Sequence, residues 1–156
     1  MIEITIPGMD KFIIKNILCD VNGTLALDGS LIPGVADKIR SLMKRVNIHL
    51  VTANTNSRQA EIDAVLGTKA VLLAPGDEAE QKAAYLRSLD AHTCAAVGQG
   101  ANDQLMIEAA TLGICVLSPE GTYTKTLLAS DIVFPDILSA LEWFEHPNRM
   151  IATLRR

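Results

Sequence analysis

The stretch Ile17-Leu18-Cys19-Asp20-Val21-Asn22-Gly23-Thr24 decides how this chain is read. Three successive apolar residues, without the polar alternation of a half-exposed strand, are the pattern of a central parallel strand covered on both faces. The run ends on an aspartate and passes into a glycine-containing loop. A carboxylate placed there can be presented to a phosphate while backbone N–H groups hold the phosphate oxygens. It can also attack phosphorus and form an aspartyl phosphate. On its own, Asp20 is equally well a turn residue closing a strand, so the remainder of the chain has to arbitrate.

Upstream, Ile2, Ile4 and Ile6 alternate with Glu3 and Thr5, the period of a strand with one wet face. Pro7-Gly8-Met9-Asp10 is turn chemistry ahead of Phe12-Ile13-Ile14, which predicts a hairpin. Downstream of the loop Asp28-Gly29-Ser30, Pro33 starts a helix with Val35, Ile39, Leu42, Met43 and Val46 on its apolar face. Residues 48–51 read as a strand ending at Thr52. A helix beginning near Asn56 or Ser57 buries Ile62, Val65 and Leu66, and a strand follows at 70–73. Asp77 and Glu80 have capping-box spacing for a helix carrying Lys82, Tyr85, Leu86 and Leu89. Then come a strand at 94–97, a helix at 101–110, a strand at 113–117, a short helix, a strand at 131–134 and C-terminal helices broken at Pro147. Strands alternating with single helices predict a three-layer α/β domain with a doubly wound parallel sheet. The division is a hairpin extension (1–15), a core (16–134) and C-terminal helices (135–156).

A chain of 156 residues, 49% hydrophobic and 21% charged, has the size and balance of one folded domain. Its net charge of -4 gives no electrostatic attraction to nucleic acid or an anionic membrane. The apolar runs are too short to span a bilayer, and the N-terminus lacks the basic start of a signal peptide. Cys19, Cys94 and Cys115 form no CxxC pair and lie in strand-like runs, as buried free thiols in a reducing cytoplasm do. His49, His92 and His146 have no metal-ligand spacing, and Trp143 and Phe144 read as core or subunit-contact residues. The expectation is a cytoplasmic protein without nucleic-acid or membrane partners.

In open parallel sheets, ligands bind beyond the carboxyl ends of the strands. Asp20, Thr52 and the loop Gly98-Gln99-Gly100-Ala101-Asn102-Asp103 each follow a strand's end, so the fold would gather them on one rim. With these segments in view, Asp20-Val21-Asn22-Gly23-Thr24 resembles the DxxGT motif of the haloacid dehalogenase superfamily. Thr52, Lys82 and the 98–103 loop resemble that superfamily's later motifs, in the same order. The resemblance implies Asp20 as nucleophile, with Asn22, Gly23, Thr52, Ala53 and Lys82 around the phosphoryl group. It implies Mg²⁺ among Asp20, the Asn22 carbonyl, Gln99 and Asp103. Lys69 and Lys125 rival Lys82 by residue type, and Asn102 reads as a loop-shaping residue. The last motif brings the chain nearest to small soluble relatives of the P-type ATPase phosphorylation domain.

Two residues depart from the family pattern. Asn22 stands where the phosphatases carry a second aspartate as general acid/base, and an amide cannot exchange a proton near neutral pH. That help is worth typically ~10²–10⁴-fold in rate. Gln99 stands where an aspartate ligates Mg²⁺, which prefers charged oxygens although an amide oxygen can coordinate it. The resemblance therefore implies an Mg²⁺-dependent phosphohydrolase that is slow or favours good leaving groups. The alternative is an impaired relative that binds a phosphorylated ligand or serves in assembly. A receiver domain would need an acidic pair near the chain start, which residues 1–10 lack at a strand end. Residues 24–33 leave room only for a short flap, so no cap domain is expected. An open site without a cap predicts a homo-oligomer, a tetramer being one form, acting on a small phosphorylated molecule.

Overall fold

The computed structural model describes residues 1–8, 11–53 and 58–155. The expected hairpin is β1 (Ile2–Ile4) paired antiparallel with β2 (Phe12–Ile14), Ile2 opposite Ile14. Strand β3 (Asn16–Asp20) follows and is buried at every position. A two-stranded flap, β4 (Ala26–Leu27) and β5 (Ser30–Leu31), leads to α1 (Val35–Leu42). Next come β6 (Asn47–Thr52), α2 (Gln59–Leu66) and β7 (Val71–Leu72). The second half runs α3 (Glu78–Ser88), β8 (Cys94–Gly98), α4 (Gln104–Ala109), β9 (Leu112–Val116), α5 (Thr124–Ala129) and β10 (Ile132–Phe134). Helices α6 (Ile137–Glu145) and α7 (Pro147–Leu154) close the chain.

The six-stranded sheet has the order β10-β9-β8-β3-β6-β7, and every pairing in it is parallel. Alternate residues of β3 feed opposite sides of this sheet, as the two-residue strand period requires. Ile17 and Cys19 join Ile39, Leu42, Leu141 and Phe144 on one side. Leu18 joins Val51, Ala83, Leu86 and Met106 on the other. The central strand thus holds both helical layers, which is why its middle residues, Ile17, Leu18 and Cys19, are apolar on both faces. Gly113 lets α4 approach β9 closely: a Cβ there would lie 2.5 Å from the Ile107 carbonyl oxygen. No helix among the described residues is long and apolar enough to cross a membrane.

Several expectations are corrected. Met43, predicted on the buried face, lies just past the last residue of α1 and is exposed. Val65 is also exposed, because α2 buries Gln59, Ile62 and Leu66 instead. The strand expected over 70–73 pairs only at Val71 and Leu72 on the sheet's edge, where Leu72 faces solvent. The capping box does not form: Asp77 takes a left-handed conformation (φ 49°) with no side-chain cap, and Glu80 pairs with Arg87. The helix expected over 101–110 is a tight 3₁₀ turn (Ala101–Asp103) before α4, which brings Asp103 back under the loop. The start proposed for the second helix, Asn56 or Ser57, lies outside the described residues, as do Met9 and Asp10 of the hairpin turn. All three cysteines are free and buried, and Trp143 and Phe144 belong to the core.

Candidate active site

The chemistry gathers at the carboxyl ends of β3, β6 and β8, which lie side by side in the sheet. Asp20, the last residue of β3, is only 5% exposed. One of its oxygens, Oδ1, accepts from the Lys82 ammonium at 2.7 Å, and the other, Oδ2, accepts from the Thr24 hydroxyl at 2.9 Å. Lys82 reaches in from the second turn of α3 and is completely buried. It also donates to Asp103 Oδ1 at 2.7 Å and to Asn102 Oδ1 at 3.3 Å. Its rivals Lys69 and Lys125 are both exposed on the surface.

Asp103 is the last residue of the 3₁₀ turn. Besides Lys82, it accepts from the backbone N–H groups of Gln99 and Gly100, each 2.9 Å from Oδ2. The carboxylate thereby closes its own loop and holds the lysine from below. Asn102 donates to Glu78 at 2.9 Å, tying the same loop to the start of α3. On the opposite flank, the Asn22 amide donates to the Thr52 hydroxyl at 3.1 Å. Ala53 follows directly as β6 ends. The Gly23 N–H donates to the Ala26 carbonyl at 2.7 Å, so that amide is committed to the turn and not turned toward a phosphate. Gly23 matters for another reason: with φ +80°, a Cβ there would come within 2.1 Å of Gln99 Nε2.

Two buried carboxylates share one buried ammonium, and the balance shows in the titration of Asp20 and Lys82. Burial, and then the neighbouring Asp103 carboxylate, push the Asp20 carboxyl up to about 7, although Lys82 and Thr24 hold it down. For Lys82, burial works against the charge, and the two carboxylates outweigh it, so the ammonium is held above its ordinary range. Burial, with Asp20 beside it, pushes the Cys19 thiol up to about 12, which keeps this neighbour an inert thiol.

Among the described residues, no three histidine, cysteine or acidic side chains are gathered closely enough to hold a metal by themselves. The donor set nevertheless suits Mg²⁺, which takes oxygen ligands, keeps several waters and often uses only one or two carboxylates. Asp20 and Asp103 share a single ammonium, so Asp20 is an under-compensated carboxylate, and the Asn22 carbonyl, two residues on, meets the Gln99 amide. Gln99 Nε2 stands 3.4 Å from the Asn22 carbonyl oxygen, so the amide would have to turn to offer oxygen instead. Asp103 has both oxygens already engaged.

Of the residues the sequence singles out, the structure joins Asp20, Lys82 and Asp103 through one ammonium, and Asn22 with Thr52 and with Gln99. Two residues went unassigned there. Thr24 bonds the nucleophile candidate, and its signal was its place inside the first motif. Glu120, in the loop after β9, stands with one carboxylate oxygen beside Gly23 and the other 3.1 Å from the Asp28 N–H of the flap. No local pattern marks it.

A parallel sheet in this strand order, with helices on both faces, is a known architecture. The fold is that of the haloacid dehalogenase superfamily hydrolases, capless among the described residues. The crystal structure of 3-deoxy-D-manno-octulosonate 8-phosphate phosphatase from Moraxella catarrhalis, with magnesium, phosphate and sugar acid bound, superposes with a TM-score of 0.70 at 17% identity. That match covers 91% of this chain and 94% of the phosphatase. A Legionella pneumophila protein described as a subfamily III A hydrolase of the superfamily gives 0.67 at 16% identity, over 90% and 86% of the two chains. A phospho-aspartyl intermediate analogue of phosphoserine phosphatase gives 0.67 at 16%, over 84% and 99%. In sequence, an uncharacterized protein of Methanocaldococcus jannaschii is 50% identical over 60 residues, which are 38% of this chain. The chain spans 64% of that relative's length. No model of a known protein family matches the chain.

Breaking a buried ion pair by removing one partner costs about 3–5 kcal/mol, because an uncompensated charge stays behind. Lys82→Met is therefore expected to lower the unfolding free energy by about that amount in urea titrations at neutral pH. Adding Asp103→Asn in the same chain is expected to recover part of the loss. Unchanged stability in Lys82→Met would show that the pair does not hold the loop and helix together.

Proposed function

We propose that this chain is an Mg²⁺-dependent phosphohydrolase of the haloacid dehalogenase type that works through an aspartyl phosphate at Asp20. The observation that carries the reading is the Asp20 carboxylate at the end of the central strand, with Lys82 on one oxygen and Thr24 on the other. In the first step an Asp20 oxygen forms a bond to phosphorus while the bond to the leaving oxygen breaks. In the second, water attacks the aspartyl phosphate, releasing inorganic phosphate and restoring the carboxylate. Lys82 neutralises charge as it builds on the phosphoryl oxygens, and the Thr52 hydroxyl and Asn22 amide orient them. Asp103 positions Lys82. Mg²⁺, held by Asp20, the Asn22 carbonyl and Gln99, with Asp103 behind them, would add positive charge at the transferring group.

Asn22 limits both steps. It hydrogen-bonds but neither protonates a leaving alkoxide nor deprotonates water. The favoured substrates are therefore small phosphorylated molecules whose leaving group departs as a stable anion, such as acyl phosphates or phosphoanhydrides. This places the chemistry near that of soluble relatives of P-type ATPase phosphorylation domains. Among the described residues the rim carries no cap, and we propose that a second copy of the chain covers it. A monomeric mass in light scattering at micromolar protein would overturn that assembly.

Beryllofluoride with Mg²⁺ is expected to form an adduct at Asp20, visible by ¹⁹F NMR and absent in Asp20→Asn. Failure of the wild type to form it retires the nucleophile. Asn22→Asp is expected to raise turnover of phosphate monoesters by roughly 10²–10⁴-fold, the usual worth of general acid/base help. A second reading, a non-hydrolytic relative that binds a phosphorylated ligand, is favoured by the Gln99 amide standing against the Asn22 carbonyl. It is supported instead if the wild type is inert while Asn22→Asp with Gln99→Asp becomes active.

A further inference from the structure

An amide at position 99 leaves any cation site beside Asp20 short of one negative charge, and the structure brings a carboxylate that no motif predicts, Glu120, to the same place. The point where a Gly23 Cβ would stand lies 2.1 Å from Gln99 Nε2 and 2.8 Å from Glu120 Oε2. The amide and this carboxylate thus crowd the same space, over a glycine whose missing side chain leaves room for both. Gln99 Nε2 in turn stands 3.4 Å from the Asn22 carbonyl oxygen. Glu120 comes from the loop after β9, far in sequence from every motif. The Tyr123 N–H donates to the Gln99 carbonyl at 2.9 Å, and the Thr126 hydroxyl donates to the Gly100 carbonyl at 2.7 Å, so this segment is tied to the 98–103 loop. The other Glu120 oxygen accepts from the Asp28 N–H of the flap at 3.1 Å.

The direction of approach separates two roles. Asn22 sends its amide to Thr52, on the β6 side of the central strand. Glu120 arrives on the opposite side, with Gln99 and the β8 end. Its place beside Gln99 argues for a charge role there over the proton chemistry missing at Asn22. It stands where the charge missing at Gln99 would act.

We propose that Glu120 supplies the acidic charge of the cation site in place of residue 99, and latches the flap over that site with its second oxygen. The inference rests on the metal-dependent reading above. Its test is direct binding of Mn²⁺, without substrate, by calorimetry on the full chain. Glu120→Gln keeps an oxygen that can accept from Asp28 N–H but loses the charge, and is expected to weaken Mn²⁺ binding by roughly 10–100-fold, the usual effect of disturbing a metal's supporting groups. Gln99→Asp added to Glu120→Gln is expected to restore affinity, with urea midpoints unchanged throughout. If Glu120→Gln binds like the wild type while only Glu120→Ala weakens, Glu120 is a flap latch alone and the inference is overturned. If the wild type binds Mn²⁺ and neither variant differs from it, the inference fails and the metal-dependent reading stands. If the wild type binds no Mn²⁺ while Gln99→Asp does, both fall.

Discussion

The Lys82 ammonium, withdrawn entirely from water between the Asp20 and Asp103 carboxylates, is the constraint on which the rest of this rim depends. It joins a helix, the end of the central strand and a tight loop at one point, through contacts that span 62 and 21 residues of sequence. Desolvating three charges is costly, and such clusters are rarely a source of stability beyond what apolar packing would give. What this one provides is geometry. Lys82 cannot leave without stranding two carboxylates, so Asp20 keeps one oxygen fixed and one orientation toward the rim.

The same cluster is electrically unfinished, since one positive charge faces two negative ones. The raised Asp20 carboxyl records that imbalance, with burial and Asp103 together outweighing Lys82 and Thr24. A small divalent cation or a protonated carboxyl each relieves it. This gives a physical sense to the two amides at the rim. On the proposed reading, Asn22 is close in size to an aspartate and Gln99 is one methylene longer; both amides still hydrogen-bond but carry no charge and exchange no proton near neutral pH. Glu120 returns charge from outside the motifs, on the flank where Gln99 lacks it.

Much of the fold was legible along the chain. Strand periods, the apolar 17–19 run and the alternation with helices lead directly to the parallel sheet, because they report burial on faces that each element creates locally. Errors fell where tertiary packing chose among equals. Met43 and Val65 have the right chemistry for the core but lie off the face that finds a partner. Asp77 and Glu80 have capping spacing, yet a left-handed turn at Asp77 spends that position on changing chain direction.

For the site, sequence alone determined which strand ends carry a carboxylate, a hydroxyl and a glycine loop, since each of these sits beside the element that positions it. Only the tertiary structure decided that Lys82 and not Lys69 or Lys125 is the buried cation, that the Gly23 N–H is occupied by Ala26, and that Glu120 reaches Gly23. Those facts depend on which side chains meet across the gaps between elements, and on where burial makes a charge seek a partner. Neither quantity has a period that a sequence can display.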